Sequence, residues 1–195
     1  PSQASRPFSI DRKGMILSEG GAVLVLAAEE ALTAFGLTPA AEVLGVGWTS
    51  DAHHFTLPNG ETIVRAIREA IDDAGLAPAD IGYVNAHGTS TPKGDKVEIE
   101  CLREVFGGNL SGIPVSSNKS QIGHTLGAAA AIEAALGIEG MQQGVILPTV
   151  NHIPDPELAD VDVVPHAARR QRYEFFLSNA FGFGGTNCCI VFRGV

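Results

Sequence analysis

The stretch Val84–Glu100, VNAHGTSTPKGDKVEIE, decides how the rest of the chain is read. An apolar run, Ile81–Ala86, ends in His87; three hydroxyl residues follow, and Pro92, Gly94 and Asp95 close the loop before a second apolar-periodic segment. Strand, polar loop, helix is the pattern by which α/β sheets collect ligands at the carboxyl ends of their strands. His87 is therefore either a strand-end histidine bonded to nearby backbone or a group serving a nucleophile or a polarised carbonyl. Gly88 permits close backbone approach, and Thr89, Ser90 and Thr91 offer hydroxyls to a polar ligand. Asp95 either supports this loop or caps the helix that follows it.

Outward from this stretch the same alternation continues. Glu61–Ala74 carries apolar residues at 63, 66, 67, 70, 71 and 74, a helical stripe stopped by Gly75. Helices are also expected at Glu29–Phe35, Asp95–Phe106 and the Ala-rich Leu126–Gln142. Strands are expected at Ala41–Thr49, Ile81–Ala86, Ile113–Ser116, Tyr173–Asn179 and Asn187–Phe192. Met15–Ala27 is apolar and broken by Gly20-Gly21, as in a hairpin or bulged strand. The alternation predicts α/β layers around a buried sheet. GMILSEGGAVLVLA and EFFLSNAFGFGGTNCCIVF both read strand, glycine turn, strand, an echo that hints at a duplicated architecture.

Two further polar clusters follow strand ends: SSNKSQIGHTLGAAAAIEA (Ser116–Ala134) and SNAFGFGGTN (Ser178–Asn187). His124 opens the Ala-rich helix, where the positive helix end favours a neutral, donating imidazole. Lys119 and Glu133 are either an ion pair or separate charges, with Lys119 on the surface. GFGGTN leads into a strand and not a helix, so it is no dinucleotide fingerprint. A glycine-rich turn aiming backbone N–H groups at a carbonyl oxygen fits it better. The P-loop spacing and the G-x-S-x-G elbow are absent, and His53-His54 lack companions at zinc-ligand spacing.

The composition narrows the classes further. A net charge of −9 over 195 residues argues against a nucleic-acid groove and against an anionic membrane surface. No apolar segment reaches the length of a membrane helix. Three cysteines, Cys101, Cys188 and Cys189, form no C-x-x-C pair, which points to a reducing cytoplasm rather than a disulfide framework.

Together the three clusters resemble the β-ketoacyl-acyl carrier protein synthases, the condensing enzymes of fatty-acid and polyketide synthesis, with the type II elongation enzymes nearest. NAHGTSTPKGDKVE resembles their first histidine motif, SSNKSQIGHTLGAAAAIEA their lysine and second histidine motif, and NAFGFGGTN their C-terminal gating loop. SRPFSIDRKGMILSEGGAVLVL and GVGWTSDAHHFT are similar to family segments as well. The resemblance implies the C-terminal half of a thiolase-like layered αβα fold. Residues 1–36 would end the N-terminal half, as a strand hairpin and helix, and 37–195 would form the C-terminal ketosynthase domain.

By the same resemblance, His87 and His124 would hold the thioester carbonyl of malonyl-acyl carrier protein, with Lys119 and Glu133 organising the second histidine. The Phe183 N–H would complete an oxyanion hole and its ring would gate acyl entry. Thr89 and Thr91 would bond the phosphopantetheine arm, and Asp95 and Glu98 would support the site. The nucleophilic cysteine would lie in a missing N-terminal half, leaving this chain inactive alone. No metal and no cofactor is implied beyond the carrier's phosphopantetheine. The expected partners are acyl carrier protein, docked at Arg169, Arg170 and Arg172 if those form a basic patch, and the other half, in a homodimer when complete. A non-catalytic subunit resembling a chain-length factor is the alternative reading. Thiolase itself fits less well, because its second-half cysteine motif does not match Cys188-Cys189.

Overall fold

Five strands form the main sheet of the computed structural model, which describes residues 3–195. In spatial order they are β1 (Glu42–Ser50), β7 (Thr186–Arg193), β6 (Phe175–Gly182), β2 (Tyr83–Asn85) and β3 (Val115–Ser116). β1, β7 and β6 pair antiparallel, whereas β6, β2 and β3 run parallel. The carboxyl ends of β2, β3 and β6 therefore lie at one edge, and all three polar clusters emerge there.

Helices cover both faces. On one side lie α2 (Gly60–Asp73) and α3 (Pro92–Phe106), on the other α5 (Ala129–Gln143). α2 buries Ile63, Val64, Ala66, Ile67, Ala70 and Ile71, the stripe expected from the sequence, and the Asn59 side chain caps it at Glu61 N. Fully burying a valine or isoleucine side chain stabilises by about 1.5–3 kcal/mol. α2 sits unusually close to β1, because the facing strand residues are Gly45 and Gly47. A Cβ at Gly47 would collide with the Ala66 carbonyl oxygen, and one at Gly45 with that of Ala70. On the opposite face α5 lays Gly137 against the Phe176 ring, which stacks in turn on Phe192 at 4.8 Å. This is the expected α/β layering.

Several elements differ from expectation. α3 begins at Pro92 and not Asp95, because proline suits the first helical position and Thr91 Oγ1 caps the turn at Gly94 N. The Pro-rich connector contributes a small ladder, β4 (Val145–Ile146) with β5 (Arg169–Arg170). A four-residue helix, α4 (Lys119–Ile122), precedes α5. Neither the hairpin nor the bulged strand expected at Met15–Ala27 forms. The segment's one ladder contact is a bridge from Leu17 to His124, and Val23 and Val25 are 90% and 89% exposed. Among the described residues no strand pairs with this segment. α1 (Glu29–Phe35), though ended by Gly36 as expected, buries nothing either. The echo with the C-terminal hairpin is thus realised only at β6–β7. No helix among the described residues is long and apolar enough to cross a membrane.

Candidate active site

β2 ends at Asn85 and delivers His87 to the sheet edge, where both ends of its backbone are fixed. Its N–H donates to Glu98 Oε1 at 2.8 Å, and its carbonyl accepts from Lys119 Nζ at 2.7 Å. Glu98 Oε2 takes the Gly88 N–H as well, and Oε1 also accepts from Asn179 Nδ2. Gly88 has φ +31°, and a Cβ there would lie 2.6 Å from that of Ser117, so the His87 loop packs directly on the lysine loop.

That second loop leaves β3 at Ser116. Lys119 is 1% exposed, and its ammonium meets Glu133 Oε1 at 2.5 Å, His87 O, and His87 Nδ1 at 3.5 Å. A cation facing Nδ1 favours a lone pair there, which puts the ring proton on Nε2. His124 reaches the same tautomer by another route: its Nδ1 accepts from Leu126 N at 3.1 Å. Burial, then the Lys119 charge, holds His124 down to about 4. Burial, Lys119 and His124 hold His87 well below the usual histidine range. The expected cause for His124 is thereby replaced: α5 starts only at Ala129, after a 3-10 turn, and desolvation rather than the helix end dominates.

The two rings stand edge to face with centres 5.6 Å apart. Each ring keeps its Nδ1 lone pair engaged, toward Lys119 or Leu126 N, and so leaves an Nε2–H as its donor. Two neutral N–H donors on adjacent rings are a chemistry that suits an oxygen acquiring negative charge.

None of the three cysteines is held as a thiolate. Cys101 is buried in α3, and burial pushes its thiol up to about 12. Burial raises Cys188 and Cys189 in β7 too, so each stays a thiol at neutral pH. Among the described residues no group of His, Cys, Asp and Glu is arranged to hold a metal ion.

Residues 40–152 match the family described as beta-ketoacyl synthase, C-terminal domain. The chain belongs to this family. Nodulation protein E of Rhizobium sp. (strain N33) is 43% identical over 191 residues, covering 97% of this chain and 47% of that protein. 3-Oxoacyl-[acyl-carrier-protein] synthase 2 of Staphylococcus aureus is 42% identical over 193 residues, covering 97% and 48%. A β-ketoacyl synthase from Burkholderia phymatum STM815 superposes with a TM-score of 0.92 at 43% identity, covering 97% of this chain and 46% of that one. A ketosynthase solved in complex with its type II polyketide acyl-carrier protein superposes at 0.95 with 34% identity, covering 100% and 48%. The fold is therefore the thiolase-like ketosynthase fold, and the chain spans about half the length of these relatives.

Within that fold, His87, His124, Lys119, Glu133 and Glu98 meet in one constellation. Thr89 and Thr91 bond each other at 3.0 Å, and Thr91 Oγ1 also serves as the α3 cap. Asp95 accepts from Phe8 N at 2.9 Å and Thr91 N at 3.2 Å, and burial pushes it up to about 7. Phe183 stands apart in the β6–β7 turn, stacked on Phe55 at 5.5 Å; the ring against His87 is Phe181, at 5.3 Å.

Sequence reasoning did not single out Phe181, Asn179 or Asp51. Asp51 binds Asn59 N and Asn187 Nδ2, while its N–H donates to Gly185 O, tying the 51–59 loop to the glycine turn. Its place straight after β1, facing a strand pair that ends in glycines, was the available signal. Of the three arginines considered as a basic patch, Arg169 is held by both Asp162 oxygens, leaving Arg170 and Arg172 exposed.

Proposed function

We propose that this chain contributes the decarboxylation centre of a β-ketoacyl-acyl carrier protein synthase. The observation that carries the reading is the pair of neutral, Nε2-protonated imidazoles 5.6 Å apart, backed by the buried Lys119–Glu133 pair. In the proposed reaction His87 and His124 donate to the malonyl thioester oxygen. The bond to the carboxylate breaks, carbon dioxide leaves, and its electron pair forms an enolate whose charge rests on that oxygen. The α-carbon then attacks an acyl thioester; a carbon–carbon bond forms, the carbon–sulfur bond breaks, and the thiolate that carried the acyl group departs.

That thiolate is assigned to a cysteine outside these residues, since Cys101, Cys188 and Cys189 are held as thiols. Thr89 and Thr91 would bind the phosphopantetheine arm of the carrier, Phe183 would supply an oxyanion-hole N–H and gate acyl entry, and Arg170 and Arg172 would meet the acidic carrier. The assembly with the complementary half is proposed to be a homodimer. A non-catalytic partner subunit would have no use for a buried ion pair behind two neutral imidazoles.

The chain alone is expected to show no condensation of acyl and malonyl thioesters. Combined with the complementary half, His87→Ala or His124→Ala should reduce carbon dioxide release from malonyl-carrier protein roughly a hundredfold, the usual effect of losing one preorganised donor. Acyl loading, read as a mass shift, should survive. Loss of loading with decarboxylation retained would make the histidines bases for the cysteine and overturn the mechanism.

A further inference from the structure

Residues 5–18 form neither helix nor strand, yet they bond to both histidine loops. Ser5 Oγ donates to Lys119 O at 2.7 Å, and Arg6 N to Ser90 Oγ at 3.0 Å. Gly14 N donates to Ser90 O at 2.8 Å. Farther along, His124 N donates to Ile16 O at 2.7 Å, and Ser18 N to His124 O at 3.1 Å. One strap thus grips the loop three residues past His87, the backbone of Lys119, and His124 on both sides. Ser90 is fully buried with φ +69°, a left-handed conformation that a serine keeps only when its surroundings impose it.

Ser9 and Ile10 tie the strap to Ile153 of the connector, and Arg12, whose side chain is 9% exposed, ties it to α3 and to Asp155 as well. Its Nη1 donates to Ser9 O at 2.8 Å, within the strap, and to Asp155 Oδ2 at 3.0 Å, in the connector. Nη2 reaches Pro92 O, the first residue of α3, at 3.3 Å. Nε lies 3.8 Å from Asp95, which itself receives Phe8 N from the strap and Thr91 N from the histidine loop. A planar fork can serve several acceptors in fixed directions, as a lysine cannot.

We propose that Arg12 is a positioning residue for the two imidazoles: it locks residues 5–18 onto α3 and Asp155, and the locked strap sets the separation of His87 from His124. The catalytic consequence rests on the ketosynthase reading above; the positional one does not. A shift of about 1 Å between reacting groups costs on the order of a hundredfold in rate. A structural tie without this role is present as a control. Arg103 bonds α3 to Glu157 and Asp160 of the same connector, but no hydrogen bond joins it to the strap among the described residues.

The test is nitrogen NMR of the imidazoles in the labelled chain, with His87→Ala and His124→Ala to assign the signals. The wild type should show each ring as a single Nε2–H tautomer. Arg12→Gln should shift both rings toward tautomer-averaged signals, Arg12→Lys should fail to restore them, and Arg103→Gln should leave them unchanged. Wild-type signals in Arg12→Gln, or equal shifts in Arg103→Gln, overturn the proposal. Should Arg12→Gln not fold, Asp155→Asn removes one anchor and must move the same signals; unchanged signals there overturn it as well. With the complementary half present, Arg12→Gln should lower kcat for carbon dioxide release roughly a hundredfold with KM and acyl loading unchanged. A raised KM with kcat intact also counts against it. A wild type that releases no carbon dioxide defeats the ketosynthase reading and leaves the spectra to decide this one.

Discussion

At Lys119 one ammonium meets three acceptors at once, the His87 carbonyl, the His87 ring and Glu133, and both members of the Lys119–Glu133 pair are buried. Removing one member of a buried pair leaves the other charge without compensation, at about 3–5 kcal/mol. Glu133→Gln should therefore lower the denaturation midpoint by that free energy with an unchanged m-value. Lys119→Met combined with Glu133→Leu should regain most of the stability, because paired apolar replacements are often neutral. His124 gives a pH test. Its folded value, about 4, lies below the unfolded 6.5. Between those limits the unfolded chain takes up a proton that the folded chain refuses, so this residue's contribution to stability falls as pH drops from about 6.5 to 4. His124→Gln should remove that part of the acid-side loss in chemical denaturation across the window, with no change in slope above pH 7. A slope identical in both proteins would contradict the buried neutral imidazole.

Two glycines in β1 let α2 lie against the strand backbone, and no side-chain rotation can relieve a methyl pressed on a carbonyl oxygen. Gly47→Ala should cost at least the upper end of the ~1–3 kcal/mol seen for overpacking, readable as a drop in midpoint; a change within error would show the helix free to move. Elements of this kind were legible beforehand. The stripe of α2 and the strand-loop-helix rhythm around His87 are periodic signals, and the convergence of the three polar clusters follows from parallel strands. What stayed hidden depended on neighbours distant in sequence. A lysine reads as surface charge until Glu133 is placed opposite it, fourteen residues on. Phe181 and Phe183 look alike in the sequence, but the strand carries the first onto His87 and the turn carries the second outward. Apolar alternation in Met15–Ala27 shows what a strand needs and is silent on whether a partner is within reach.

Those unpaired residues shape the behaviour of the molecule as a whole. Leu17, Val23, Val25, Leu26, Phe35 and Leu37 are exposed, as are Val46 and Trp48 on the uncovered part of the sheet. Apolar surface of this extent, beside an edge strand, promotes association. The chain by itself should self-associate; a monodisperse monomer in sedimentation that binds no apolar dye would contradict this. The strand order carries a consequence for how the protein is made. β1 pairs with β7, and β7 alone joins it to β6. A ribosome adding ~5–20 residues per second exposes β1 and the helix behind it many seconds before that partner exists. The early strands thus wait on the last one, a long loop closure of the kind that slows folding. Through that interval the nascent chain presents an open β edge, so chaperone protection during synthesis should matter more for this chain than its finished stability would suggest.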